Sequence, residues 1–201
     1  MNMKILTALT AAVLAFAGLV SCGEDKSEKP EAPKASQTIS KQDSGDCKEA
    51  YSELYNEMYS EGGGEVFYNY MYPDPVLEYI KSTGDYDRRV ELYNDNVKTY
   101  LDAGNSVPTL REIVSVEPLS DLQKDYAKNF FHSLSTELYP DYQIDSITIT
   151  EGYEVTGVTV DDEGTEKNEV WCMVMVEGEG WKAITASAEA LGENFADYSV
   201  S

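Results

Sequence analysis

Residues 169–184 read EVWCMVMVEGEGWKAI, and this run decides the fold. Val170, Cys172, Val174 and Val176 share one parity, and Trp171, Met173 and Met175 share the other. Side chains alternate between the faces of a strand, so a strand apolar at both parities is central and covered on both sides. Gly178-Glu179-Gly180 then supplies turn chemistry. Residues 181–185 return as the last strand of an antiparallel hairpin.

Outward from that hairpin, period-two patterning predicts strands over residues 144–150 and 153–160. Asp161-Asp162-Glu163-Gly164 is a turn between strands. Residues 109–117 (TLREIVSVE) lie between Pro108 and Pro118 and read as an edge strand. Everything upstream is helical. Asp46 can cap a helix with Cys47, Ala50, Tyr51, Leu54, Tyr55 and Met58 inward, ended by Gly62-Gly63-Gly64. Residues 66–71 form a short helix. Asp74-Pro75 opens another as N-cap and first position, with Val76, Leu77 and Ile80 inward and Gly84 as its stop. Residues 86–102 follow, with Val90, Tyr93, Val97, Tyr100 and Leu101 inward and Gly104 closing. Ser120 and Gln123 make a capping-box pattern. The helix after them places Leu122, Tyr126, Phe130, Leu134 and Leu138 at helical spacing. Residues 187–192 form a weak terminal helix. The expected class is α+β, with N-terminal helices packed on one face of a curved antiparallel C-terminal sheet of about four strands.

The closing hairpin resembles that of nuclear transport factor two-like, or cystatin-like, domains of bacterial lipoproteins. Those domains end in a long apolar strand, a Gly-containing turn, then Trp and Lys. The order of helices, a strand, a helix and further strands is similar across roughly residues 47–185. The resemblance implies a scaffold shared by enzymes, binding modules and structural proteins, so it brings no function with it. Enzymes of that scaffold place a His, Asp or Tyr set in the cone of the sheet, and no such set maps onto this chain.

The N-terminus resembles a lipoprotein export signal. Lys4 is the positive n-region, residues 5–19 are apolar or small, and Leu19-Val20-Ser21-Cys22 is similar to a lipobox. The resemblance implies cleavage before Cys22 and acylation of its thiol, with several acyl chains holding the protein on a membrane. Residues 24–45 are rich in Lys, Glu, Pro, Ser, Gln and Ala, with Ile39 the one large aliphatic. Such a segment cannot bury enough apolar area to fold, so it reads as a tether reaching about 25 Å. The expected organisation is a signal peptide over 1–21, a lipidated cysteine and tether over 22–45, and one α+β domain over 46–201. The expected location is the bacterial cell envelope, facing outside the cytoplasm.

The chain has 201 residues with Lys+Arg 15 and Asp+Glu 37, a formal net charge of −22. That charge repels phosphate backbones and excludes polybasic docking on anionic lipid, so no nucleic acid is expected as a partner. Apolar residues at 42% are enough for a packed core.

Chemistry is sparse. His132 is the one histidine, it has no Gly-x-Ser-x-Gly elbow to serve, and it reads as a boundary or surface residue. No second histidine or Cys-x-x-Cys pair supports zinc. Asp161-Asp162-Glu163 and Asp85/Asp87 lack EF-hand spacing. The triple glycine lacks the lysine of a phosphate loop. No catalytic residue, metal or cofactor is therefore expected. Tyrosine is unusual at 15 residues, ten of them between Tyr51 and Tyr100. Most fall at inward spacings. Tyr68, Tyr70 and Tyr72 are the candidates for a surface platform that stacks on glycan or peptide. Tyr153, Trp171, Met173 and Met175 are the candidates for a pocket on the sheet, although ordinary core is the simpler reading. Cys47 and Cys172 are either a disulfide or two buried thiols. The expected role is a non-catalytic protein-interaction module at the cell surface. The alternative is small-ligand or glycan binding in the concave face of the sheet, and an enzyme on the same scaffold ranks third.

Overall fold

The computed structural model describes residues 47–60 and 62–198. The expected signal segment, Cys22, the tether and the Asp46 cap lie outside them. The elements run α1 (Cys47–Glu57), α2 (Gly63–Met71), α3 (Asp74–Ser82), α4 (Tyr86–Asp102), β1 (Thr109–Pro118), α5 (Asp121–Thr136), a 3₁₀ turn (Ile144–Ser146), β2 (Ile149–Val160), β3 (Glu166–Val176), β4 (Gly180–Ile184) and α6 (Ala188–Phe195). The fold is α+β. Its sheet is an antiparallel meander in the order β1-β2-β3-β4.

β3 is central and buried on both faces, as its two-parity sequence requires. One parity joins a core of Cys172, Val174, Val176, Ile184, Ala127, Phe131, Ala188 and Leu191. That places α5 and α6 on this face. The other parity brings Trp171 against Tyr51 and Tyr55 of α1. Helices therefore cover both faces rather than one. Burying a side chain such as Phe131 from water contributes about 1.5–3 kcal/mol, so each face is a substantial part of the stability.

Several expected details change. The strands expected at 144–150 and 153–160 are one strand, β2, preceded by a 3₁₀ turn. Gly152 does not break it. Leu119 packs so closely that a Cβ at Gly152 would lie 3.0 Å from Leu119 Cδ1, and Leu119 N–H donates to Gly152 O at 2.8 Å. The capping box at Ser120 and Gln123 is present; α5 buries Ala127, Phe131, His132 and Ser135 fully, and of the expected stripe Tyr126 and Phe130 pack half-buried against the same core. Small residues at 127 and 135 let the backbone approach the sheet, and Leu122 is left exposed. On α3, Pro73 is the N-cap and Asp74 the first helical residue.

The triple glycine is more than a stop. Gly62 sits at φ +88, where residues with a Cβ are strained. A Cβ at Gly63 would lie 2.3 Å from Glu57 O and 2.5 Å from Met58 O, both backbone. Gly64 N–H donates to Asn94 Oδ1 at 2.9 Å, tying α2 to α4. Gly63→Ala is expected to cost at least about 1–3 kcal/mol, because backbone must move to admit the methyl. An unchanged melting temperature for that variant would contradict the close approach of α1 and α2.

Candidate functional site

The first candidate is the sheet face under α1. Gly157 lies opposite Glu169 in the β2–β3 register. Its missing side chain makes room for Tyr51, whose hydroxyl oxygen would sit 2.7 Å from a Cβ there. Ring centroids are 5.4 Å apart for Tyr51–Trp171, 5.6 Å for Tyr55–Trp171 and 6.2 Å for Tyr51–Tyr55. Spacings in this range are direct ring contacts. Trp171 and Met173 are buried at 4% and 0% exposure, so these two residues are core rather than an open lining. Tyr153 and Met175 are half-buried at the other end of the same face, where Tyr153 meets Trp181 at 6.0 Å. The hydroxyl of Tyr51 is buried without a hydrogen bond, and that of Tyr55 is buried beside Thr159. Burial raises the phenol of Tyr51, helped by Tyr55 and Glu169, and pushes that of Tyr55 up to about 12, helped by Glu169.

The second candidate is the tyrosine run of α2. The structure separates its members. Tyr70 is buried and donates its hydroxyl to Glu53 Oε2 at 2.8 Å, so it is not a surface aromatic. The helical turn carries 68 and 72 to one side and 70 to another. Tyr68 and Tyr72 stack on each other at 5.6 Å and 19°, and Tyr86 meets Tyr68 edge-on. Lys81 Nζ lies 4.6 Å from the Tyr86 ring centroid. Tyr68 and Tyr72 are half-buried and occupy each other's faces, which leaves little of a platform for stacking a ligand.

The third candidate is the C-terminal half of α4. Val90 and Tyr93 are buried as expected, and Val97 is half-buried. Tyr100 and Leu101 belong to the same stripe but are 47% and 40% exposed. The helix outruns the layer beneath it. Among the described residues, the exposed large apolar side chains are Leu92, Tyr100 and Leu101 on α4, Val114 on β1 and Leu122 on α5. Three of the five therefore fall on one helix.

Glu169 is a half-buried carboxylate beside α1. Burial raises its pKa, and Lys167 opposes the rise only in part. A carboxyl raised in the folded state lowers stability as pH climbs through its folded pKa, because the unfolded chain ionises more easily. Glu169→Gln is thus expected to melt higher than the parent at pH 7. The gain should vanish below the ordinary value of 4.5. A gain that persists in acid would contradict the assignment.

Sequence reasoning missed Lys182. Its side chain is 3% exposed. The ammonium donates to Asn69 O at 3.0 Å and to Asp74 Oδ1 at 3.1 Å, and pairs with Glu179 Oε2 at 3.4 Å. Glu179 Oε2 also accepts Asp74 N–H at 2.8 Å, closing the first turn of α3. Burial raises the Glu179 pKa, opposed by that N–H and by the Lys182 ammonium. Every donor of the lysine is used, so the cluster fastens α2, α3 and the β3–β4 turn together. It is a structural clamp rather than a reactive amine.

The Cys47–Cys172 bridge is not formed. Cys172 is a free buried thiol pointing to the α5 and α6 face, whereas α1 carries Cys47 on the opposite side of the sheet. Burial, then Glu154, push the Cys172 thiol up to about 12. The thiolate required for exchange or metal binding is thereby disfavoured. His132 is buried rather than at the boundary, and its Nδ1 meets Tyr198 Oη at 2.9 Å. No group of three metal-ligating residues occurs among the described residues. Compared with known proteins, the chain matches no family model, no curated relative and no solved structure.

Proposed function

We propose that this chain is a lipid-anchored protein of the bacterial cell envelope whose folded domain is a non-catalytic protein-interaction module. The anchor rests on the lipobox-like Leu19-Val20-Ser21-Cys22 sequence. The single observation that carries the interaction reading is the α4 stripe, which continues past its intramolecular cover through Tyr100 and Leu101. Exposed apolar clusters with polar surroundings mark association surfaces. The closing-hairpin resemblance supports this reading only through element order and transfers no residue role. The alternative of small-ligand binding on the sheet has one foothold, the half-buried pair Tyr153 and Met175.

The test is photo-cross-linking on intact cells, with a photoreactive residue at position 101 or at position 175. The interaction reading predicts a discrete protein adduct from position 101. An adduct from position 175 alone, or none from position 101, would move the weight to the ligand reading. Cys22→Ala is expected to abolish palmitate labelling, and retained labelling would remove the anchor from the reading.

A further inference from the structure

Residues 188–198 lie against α5 and the sheet as a strap. Ser187 caps α6 by accepting Ala190 N–H at 3.2 Å. Glu154 of β2 accepts Ala188 N–H at 2.7 Å. Glu154 pairs with Cys172 in the β2–β3 register, and cross-strand partners share a face, so the strap begins beside that thiol. Asn129 of α5 donates to Phe195 O at 2.9 Å, and His132 Nδ1 meets Tyr198 Oη at 2.9 Å. Phe130 and Phe195 meet edge-on, with ring centroids 5.6 Å apart. α6 pairs with no strand, and of its eight residues only Ala188 and Leu191 are buried. Lifting it breaks no ladder hydrogen bond.

Gly192 weakens this helix without a packing reason. Every other described glycine either takes a positive φ or would set a Cβ 3.0 Å or closer to a neighbouring atom. A Cβ at Gly192 would lie 3.6 Å from Tyr126 Cε2, an ordinary contact. Glycine inside a helix is less stable than alanine, because the freer chain loses more on ordering. Elements with few buried apolar contacts occupy the low-stability end of a fold. We infer that residues 188–198 open as one unit while the sheet stays folded, that Gly192 sets how often they do so, and that opening uncovers the apolar face holding Cys172. The inference is independent of the interaction-module reading.

The test combines native-state hydrogen exchange with alkylation of Cys172, both on the full chain in urea below its unfolding midpoint. Digestion and mass spectrometry place each signal in the sequence. Dividing each rate by that of the unfolded chain gives an opening constant. The α6 amides are expected to share one constant, larger than that of the β3 amides and nearly independent of urea, because a small opening exposes little surface. Cys172 alkylation should report the α6 constant. Gly192→Ala should lower that constant about fivefold, the difference in helix propensity. Asn129→Ala should raise it about fivefold, the worth of one hydrogen bond. Circular dichroism confirms that both variants fold. Equal constants and equal urea dependence for α6 and β3 amides would make the domain one cooperative unit and overturn the inference. So would a constant unchanged by Gly192→Ala, or alkylation of Cys172 that follows the β3 amides instead.

Discussion

Lys182→Ala is expected to lower the stability of the domain by about 3–5 kcal/mol, the range for removing one member of a buried ion pair. The ammonium is the cation that compensates Glu179, whose side chain is 10% exposed, alongside the Asp74 N–H. Without it, Glu179 and the partly exposed Asp74 carboxylate are left with no cation between them, and Asn69 O loses its donor. The loss should be visible as an early midpoint in urea. The companion Lys182→Met keeps the length of the stem and removes only the charge. Adding Glu179→Gln to Lys182→Met should recover part of the loss, because the uncompensated charge goes with it. A single variant as stable as the parent would contradict the clamp. A double variant less stable than the sum of its singles would contradict its electrostatic origin.

Alkaline unfolding is the second large effect. Tyr51, Tyr55 and Tyr93 are buried at 0%, 2% and 6% exposure, and burial is the first cause of the raised pKa of each phenol. A phenol raised in the folded state keeps its full stabilising contribution below the ordinary value of 10.0 and loses it as pH rises above that value. The sign follows from proton counting, since above that point the folded chain holds protons that the unfolded chain releases. Each such group contributes a slope of about 1.4 kcal/mol per pH unit. Three together give about 4 kcal/mol per unit, against a typical total of roughly 5–15 kcal/mol. Absorbance of phenolate at alkaline pH should therefore lag behind that of free tyrosine and then rise in one cooperative step with loss of ellipticity. A smooth titration through pH 10 with the fold intact would show that the rings are wetter than the packing implies.

The parts of the fold written locally were legible. β3 announced its central place because both parities are apolar. Ser120 and Gln123 announced α5 because a capping box needs residues only three apart. Gly84 and Gly104 announced helix ends and adopt φ +74 and φ +81. What was not legible depends on approach between distant segments. α5 carries two plausible stripes, and the true one was hidden because Ala127 and Ser135 are small. Their value lies in letting Phe131 reach the sheet, which no hydrophobicity pattern reports. Gly152 falls in the gap between two expected strands, and its reason for being glycine is Leu119, 33 positions upstream in the link between β1 and α5. Lys182 reads only as a residue of the last strand. Its partners Asn69 and Asp74 lie 113 and 108 positions away. The helical cover of both faces was half stated by β3 itself, whose second apolar parity already required a second layer.

The candidate site was legible in chemistry and not in position. The excess of tyrosine falls mainly on α1, α2 and α4. It did not distinguish rings that fill the core from rings left outside. Tyr70 lies on the inward side of α2, and its hydroxyl donates to Glu53. Tyr100 was expected inward and is exposed, because α4 is longer than the surface it packs on. The ledge at Tyr100 and Leu101 is a consequence of helix length, which a repeating apolar stripe cannot reveal.

The central claim is that a lipid on Cys22 holds this domain at the envelope for a partner to find. Intact-mass spectrometry of the protein extracted from its native membranes tests it most directly. The predicted result is a chain that begins at Cys22 and carries the added mass of acyl glycerol on that residue. A chain that retains residues before Cys22, or that begins elsewhere with Cys22 unmodified, would contradict it.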